Sequence, residues 1–196
     1  YCKQSEKTTT VLVATAGDTG GAVSHGCLGV RNTRVVVLYP SGMVSDIQER
    51  QFTTLGKNIQ AVEVKGSFDD CQKLVKEAFA DQQLRKELSL TSANSINVGR
   101  LLPQTFYYFF AYGQLKKYNK PITFSVPSGN LGNLTAGLLA RRMGLPASHF
   151  VAATNSNDVF PEYLQTQRYR PRPSVSTISN AMDVGDPSNF VRILDL

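Results

Sequence analysis

Two glycines stand between an apolar segment and a predicted helix in residues 126–135, which read Val-Pro-Ser-Gly-Asn-Leu-Gly-Asn-Leu-Thr. Such a loop can point successive backbone N–H groups at one place, where the dipole of the following helix also favours negative charge. The spacing fits neither common nucleotide motif, because positions 131 and 134 are leucines and no lysine follows the second glycine. A neutral cradle of amides and hydroxyls suits a phosphate monoester. The alternative is a plain left-handed turn with Asn133 as the helix cap.

A second glycine-rich loop, at residues 15–21, also follows an apolar segment and opens a predicted helix. It is therefore a second candidate anion site. The alternative is capping, in which Asp18 or Thr19 accepts hydrogen bonds from N–H groups of the first helical turn. The Asp18 carboxylate would repel an anion unless it lies beside a cationic group, such as a protonated ring. The small residues that follow allow the helix backbone to approach a ligand closely.

Residues 92–100, Ser-Ala-Asn-Ser-Ile-Asn-Val-Gly-Arg, are dense in hydrogen-bonding groups. Arg100 stands one helical turn beyond Asn97, and an arginine with amide and hydroxyl donors beside it can hold a phosphate in bidentate fashion. The alternative is a helix cap with Arg100 in solvent. These residues alone do not decide between the two.

The elements that position these three segments alternate between apolar strands and helices. Residues 81–91 form a polar interval without a predicted element. Continuous apolar strands between helices are typical of a parallel sheet covered on both faces, so the predicted class is α/β. Strands are predicted at 11–14, 34–39, 59–64, 122–126 and 150–153, and helices at about 17–29, 45–55, 67–80, 98–118, 134–143 and 190–196. The long helix from residue 98 separates two halves, predicted as domains of residues 1–97 and 98–196.

The amino-acid composition indicates the type of protein, its compartment and the charge of its ligand. The 196 residues are 41% hydrophobic and 18% charged, as in an ordinary globular domain, and no apolar run is long enough to cross a bilayer. Three cysteines without CxxC spacing predict neither a disulfide framework nor a metal site, and they favour a reducing cytoplasm. The net charge of +6 is spread along the chain. It favours a small anionic ligand, and neither nucleic acid nor a membrane is an expected partner.

Six short segments, taken in order, resemble the threonine synthases. These belong to the fold-type-II group of pyridoxal-phosphate enzymes, with tryptophan synthase β and cysteine synthase as relatives. The resemblance covers essentially the whole chain. The segments are Ala-Thr-Ala-Gly-Asp-Thr-Gly at 14–20, Leu-Tyr-Pro-Ser-Gly at 38–42, Ser-Ala-Asn-Ser-Ile-Asn at 92–97, Val-Pro-Ser-Gly-Asn-Leu-Gly at 126–132, Ala-Ala-Thr-Asn at 152–155 and Ser-Asn-Ala-Met-Asp at 179–183.

The resemblance implies three-layer parallel-sheet domains, with this chain incomplete at both ends. Residues 1–97 would be the smaller α/β domain and residues 98–196 the start of the larger one. The implied activity is that of a carbon–oxygen lyase in the last step of threonine biosynthesis, which converts O-phospho-L-homoserine and water into L-threonine and phosphate. The implied cofactor is pyridoxal 5′-phosphate. Two alternatives stay open: a non-catalytic module that binds this cofactor or phosphate, and a threonine or serine dehydratase.

The resemblance also assigns roles to residues. Ala16 stands where the family is expected to carry serine, and the Schiff-base lysine, expected upstream of the first strand, has no counterpart here. The chain is therefore expected to be inactive alone. The residues matched to cofactor binding are Asp18, Ser128, Gly129, Asn130, Leu131, Gly132 and Asn133. Those matched to substrate binding are Thr15, Ala16, Gly17, Thr19, Asn94, Ser95, Asn97 and Arg100.

Overall fold

The computed structural model describes residues 7–94 and 97–196. These residues form two compact units, Tyr1–Asn94 and Ser95–Leu196. Each unit is an α/β arrangement with parallel strands, which confirms the predicted fold class.

The first unit contains a four-stranded parallel sheet in the order β3-β2-β1-β4. Val35 of β2 pairs with Val11 of β1 on one side and with Ile59 of β3 on the other. The strands are β1 Thr9–Ala14, β2 Thr33–Pro40, β3 Ile59–Val64 and β4 Ser89–Ser92. The helices are α1 Asp18–Cys27, α2 Asp46–Thr53, α3 Phe68–Ala80 and α4 Gln82–Glu87.

Alternate residues of β1 face the two sides of this sheet, and both sides are covered. Val13 lies in a cluster with Phe52 of α2, whereas Leu12 packs with Cys71 and Val75 of α3. A strand that is apolar on both faces reads as a continuous hydrophobic run, as residues 11–14 do. The first unit is therefore a three-layer arrangement, as the sequence predicts.

The second unit pairs two parallel strands, with Phe124 opposite Phe150. The long helix α5 begins at Val98, as predicted, and a 3₁₀ turn, Lys116–Tyr118, follows it. The other elements are β5 Thr123–Pro127, α6 Gly132–Arg142, β6 His149–Ala153, α7 Val159–Thr166, a 3₁₀ turn Asn180–Met182 and α8 Phe190–Asp195.

Tyr108 of α5 stands at the centre of the core of the second unit. Its ring meets those of Phe124 and Phe150 edge-on, at centroid distances of 5.0 and 5.7 Å. Gly137 of α6 lies against the same rings, because a Cβ there would be 2.6 Å from Phe150 and 2.7 Å from Tyr108. The close approach of α6 to α5 and to the strands therefore requires glycine at this position.

Four elements of the structure have no counterpart in the sequence prediction, and one of them is the 3₁₀ turn Asn180–Met182. Helix α4 and strand β4 occupy the interval taken as polar loop, and α7 follows β6 where no helix was expected. No helix in residues 7–94 or 97–196 is long and apolar enough to span a membrane.

Candidate functional site

The loop of residues 15–21 is folded around the buried hydroxyl of Thr15. The backbone N–H groups of Gly17 and Gly20 donate to Thr15 Oγ1 at 2.9 and 2.8 Å. Gly17 adopts a φ of 135°, a conformation that favours glycine. The alternative interpretation, in which Asp18 or Thr19 caps the helix, is wrong, because Thr15 accepts from the first-turn N–H group of Gly20 instead.

Gln48, at the start of α2, lies over this loop. Its Nε2 donates to Asp18 Oδ1 at 2.6 Å, and a Cβ on Gly17 would be 2.5 Å from Gln48 Cδ. Gln48 also forms a capping box with Ser45, so its side chain serves both the loop and the N-terminus of α2. Sequence reasoning missed this residue. The Ser-x-x-Gln spacing indicates a helix cap but gives no sign of a contact 30 positions away.

Asn94 is bound to the end of β1, directly before the loop of residues 15–21. Its Oδ1 accepts from the N–H of Ala14 at 3.0 Å, and its Nδ2 donates to the carbonyl of Ala14 at 2.7 Å. After β4 ends, the N–H of Ala93 donates to the carbonyl of Leu12 and so extends the β1–β4 ladder. The side-chain amide of Asn94 then takes the place of the next peptide group in this ladder. Of the predicted segment 94–100, Ser95 lies outside the described residues.

Asn97 and Arg100 belong to the start of α5 in the second unit. Asn97 Oδ1 accepts from the N–H of Gly99 at 2.9 Å, so Asn97 caps the helix as the alternative interpretation predicted. That interpretation also placed Arg100 in solvent, but the side chain is partly buried, and desolvation lowers the pKa of its guanidinium. A cation removed from water gains more from a neighbouring anion than an exposed one does.

The loop of residues 128–133 connects β5 to α6 and is largely buried. Ser128 is fixed on both sides, because its N–H donates to the carbonyl of Ala153 and its hydroxyl donates to that of Val126, each at 2.8 Å. Leu131, 2% exposed, adopts a left-handed φ of 60° and is the N-cap of α6. Gly132 is the first residue of α6. The left-handed residue that reverses the chain is therefore Leu131, not a glycine.

The N-terminus of α6 has no capping side chain among the described residues. The alternative interpretation, with Asn133 as the helix cap, is therefore wrong: Asn133 lies inside the first turn, where its side chain contacts α5. The hydroxyl oxygen of Tyr108 lies 2.8 Å from the backbone oxygen of Asn133 and 2.7 Å from its Oδ1, and Asn133 Nδ2 donates to Gln104 at 3.1 Å. Leu131, as the N-cap, offers no side-chain acceptor to the N–H groups of the first turn. This arrangement fits a phosphate group, which backbone N–H groups and the helix dipole both favour.

Asn130 connects the same loop to the C-terminal part of the chain. Its Oδ1 accepts from the N–H and the hydroxyl of Ser188 at 2.6 and 2.9 Å. The fully buried Asn189 donates from Nδ2 to the carbonyl of Asn130 at 2.9 Å. No local pattern in the sequence indicates these contacts, because the partners lie nearly 60 positions apart.

Comparison with known proteins gives one family and several similar chains. Residues 1–196 match the family described as pyridoxal-phosphate dependent enzyme. The chain is 56% identical to the threonine synthase of Buchnera aphidicola subsp. Baizongia pistaciae over 190 residues, which are 96% of this chain and 44% of that protein. The crystal structure of threonine synthase from Escherichia coli matches with a TM-score of 0.91 and 50% identity, over 96% of this chain and 44% of that chain.

A third similar protein is the PLP-bound threonine synthase from Brucella melitensis, with a TM-score of 0.83 and 42% identity. The match covers 96% of this chain and 41% of that one. The chain thus spans less than half the length of the relatives it matches.

Proposed function

The chain belongs to the family of pyridoxal-phosphate-dependent enzymes, and from this premise we propose that it forms part of a threonine synthase. The proposed reaction converts O-phospho-L-homoserine and water into L-threonine and phosphate. The observation that carries the proposal is the start of α6, where a partly buried loop leads into the helix and the N-cap, Leu131, provides no capping side chain. Such a site accepts a phosphate monoester.

In this proposal, the cofactor phosphate is held by the loop between β5 and α6, mainly through backbone N–H groups. Asp18, whose carboxylate accepts a hydrogen bond from Gln48, is proposed as a further cofactor-binding residue on the ground of the family resemblance. When bound, pyridoxal phosphate withdraws electrons from the carbon skeleton of the amino-acid substrate. The residues proposed to hold the phosphate are Ser128, Gly129, Asn130, Leu131, Gly132 and Asn133.

The substrate carboxylate is proposed to bind at the loop of residues 15–19. Thr15 shapes that loop from inside, since its hydroxyl is buried and accepts from Gly17 and Gly20. Contact with the carboxylate therefore comes from the backbone around Ala16 and Gly17 and from the side chain of Thr19. Ala16 has no hydroxyl to add to this contact.

The substrate phosphate is proposed to bind the segment of residues 94–100, where Arg100 provides the positive charge. Asn94 is engaged with Ala14 and Asn97 Oδ1 with Gly99, so these two residues hold the backbone of the segment in place. During the reaction, protons leave Cα and Cβ and the Cγ–O bond breaks with release of phosphate. A proton then adds at Cγ to form the methyl group, water supplies the hydroxyl at Cβ, and a proton returns to Cα. Arg100 neutralises the charge on the departing phosphate.

The test is turnover by the full-length protein loaded with the cofactor. O-phosphohomoserine is supplied, and threonine and inorganic phosphate are measured; the proposal expects the two in equal amounts. Cofactor binding without turnover would instead identify a non-catalytic module. Release of ammonia from serine or threonine, without turnover of the phosphorylated substrate, would identify a dehydratase. We expect the 196-residue chain by itself to be inactive, and turnover by that chain alone would contradict this part of the proposal.

We also propose that the enzyme works in the cytoplasm. Cys27 and Cys71 are free thiols, and burial raises the pKa of the Cys71 thiol to about 11. Protonated, buried thiols are compatible with a reducing compartment. Fractionation of cells that express the full-length protein tests this, and recovery outside the cytoplasmic fraction would contradict it.

A further inference from the structure

Asp183 stands at the centre of a polar cluster that lies outside the predicted site. Its carboxylate accepts four hydrogen bonds. Oδ1 accepts from Nδ2 of Asn155 at 2.8 Å, from Nδ2 of Asn157 at 3.1 Å and from the hydroxyl of Thr177 at 2.7 Å. Oδ2 accepts from the backbone N–H of Thr177 at 2.8 Å. Hydrogen bonds to a carboxylate are among the strongest that a protein makes.

The cluster attaches residues 175–183, named here the strap, to the turn after β6. Asn157, 8% exposed, accepts from the N–H of Val175 at 2.7 Å and donates to its carbonyl at 2.9 Å. Asn155 Oδ1 in turn accepts from the N–H and the Nδ2 of Asn157, both at 2.9 Å. Asn157 thus holds Val175, the first residue of the strap, and Asp183, the last residue, is held by its hydrogen bonds to Asn155 and Asn157.

The strap lies directly against the loop proposed to hold the cofactor phosphate. A Cβ on Gly129 would be 2.7 Å from Met182 Cα and 2.8 Å from Met182 O, so backbone meets backbone and glycine is required. Beyond the strap, Ser188 and Asn189 hold Asn130 from the same side. The next residue, Leu131, has the left-handed φ that reverses the chain. A non-glycine residue persists in that conformation only where its surroundings hold it.

We propose that Asp183 is a positioning residue for phosphate recognition. By gathering the donors of Asn155, Asn157 and Thr177, it presses the backbone of Met182 against Gly129. The loop then keeps the shape in which its N–H groups converge on a phosphate. This inference rests on the proposed function, because it assigns the loop of residues 128–133 to the cofactor phosphate.

The test compares two ligands that differ only in the phosphate: pyridoxal phosphate and pyridoxal. Affinities of the cofactor-free, full-length protein for each are measured by titration. Asp183→Asn replaces one acceptor oxygen with an amide that faces the donors of the cluster. It should weaken binding of pyridoxal phosphate about tenfold, the effect of losing one charge-assisted hydrogen bond. Binding of pyridoxal should not change.

Asp186→Asn is the matched control, since this exposed carboxylate accepts from Tyr169 at 2.7 Å and, within residues 7–94 and 97–196, forms no hydrogen bond with the loop. It should bind both ligands as the wild type does. If Asp183→Asn does not fold, Thr177→Val serves instead, because it removes one donor hydroxyl without changing the charge. It should weaken binding of pyridoxal phosphate about tenfold, because the lost hydroxyl donates a charge-assisted hydrogen bond to the Asp183 carboxylate.

Each outcome has one meaning. Weakened pyridoxal phosphate with unchanged pyridoxal supports the inference. An equal loss for both ligands, or no loss for either, overturns it, because Asp183 would then contribute to folding only or to nothing measurable. If the wild type itself binds pyridoxal phosphate no more tightly than pyridoxal, the proposed phosphate loop fails, and with it the premise.

Discussion

Replacing Tyr108 with phenylalanine removes the hydroxyl that attaches α5 to the first turn of α6. The hydroxyl is almost fully buried, with 4% of the residue exposed, and donates to Asn133. Its loss leaves a buried acceptor less well satisfied, which costs about 1–3 kcal/mol. At neutral pH, Tyr108→Phe should therefore lower the free energy of unfolding by about this amount.

The same hydroxyl predicts a change with pH. Burial raises the pKa of Tyr108 from 10.0 to about 12. Because the folded-state pKa lies above the unfolded one, the stabilisation is fully present below pH 10 and is lost as the pH rises from 10 through 12. Two pKa units correspond to about 2–3 kcal/mol at most. The free energy of unfolding of the wild type should thus fall by up to this amount over the interval, relative to Tyr108→Phe.

Urea unfolding followed by far-ultraviolet circular dichroism, at neutral pH and at steps between pH 9 and 12, measures both effects. Other groups also titrate in this range, so the quantity of interest is the difference between the variant and the wild type. Tyr107→Phe, a change at the exposed neighbouring ring, is the matched control and should follow the wild type. If the wild type and Tyr108→Phe lose stability in parallel above pH 10, the assignment of a buried, hydrogen-bonded hydroxyl is refuted.

Three further predictions concern packing, the first loop and the substrate. Gly137→Ala places a methyl group 2.6 Å from Phe150 and should destabilise the protein by about 1–3 kcal/mol in urea unfolding. Gly113→Ala, where a Cβ meets no described atom within 4 Å, should stabilise it by about 0.5–1 kcal/mol; equal effects would contradict the close approach of α6. Asn94→Ala removes both bonds to Ala14 and should lower the free energy of unfolding by about 1–3 kcal/mol, so an unchanged denaturation midpoint would argue against its ladder role. Arg100→Lys in the full-length enzyme should reduce kcat/KM ten- to hundredfold, about 1.5–3 kcal/mol, and unchanged kinetics would reject the proposed phosphate contact.

The sequence predicts those elements whose residues carry a strong local signal. Residues 11–14 are apolar without interruption because both faces of β1 are buried. Ser45 indicates the start of α2 because its hydroxyl caps the helix. Strand β4, with the sequence Ser-Leu-Thr-Ser, has no such signal. It becomes a strand through its pairing with β1, a contact between residues about 80 positions apart. The polar interval was therefore misread.

In the candidate site too, the sequence predicts the features that depend on local residue types and misses those that depend on distant contacts. The two glycine-rich loops are visible in the sequence, since only a few residue types suit a tight turn before a helix. The hydrogen bonds and backbone conformations inside these loops cannot be read from the sequence. Thr15 replaces Asp18 as the partner of the first-turn N–H, and Leu131 takes the left-handed conformation that glycine adopts more readily. Asn94, which the resemblance assigns to substrate binding, forms two hydrogen bonds with Ala14, because β4 pairs with β1 only as far as Leu12 and Asn94 continues along that side of β1.

We propose that the loop before α6 holds the phosphate of the cofactor, and a crystal structure of the full-length protein with pyridoxal phosphate would show where that phosphate binds. We expect phosphate oxygens at about 2.7–3.2 Å from backbone nitrogens of residues 128–133, the distance of an N–H···O hydrogen bond. A cofactor phosphate bound elsewhere, with these N–H groups facing only water or protein, would contradict it.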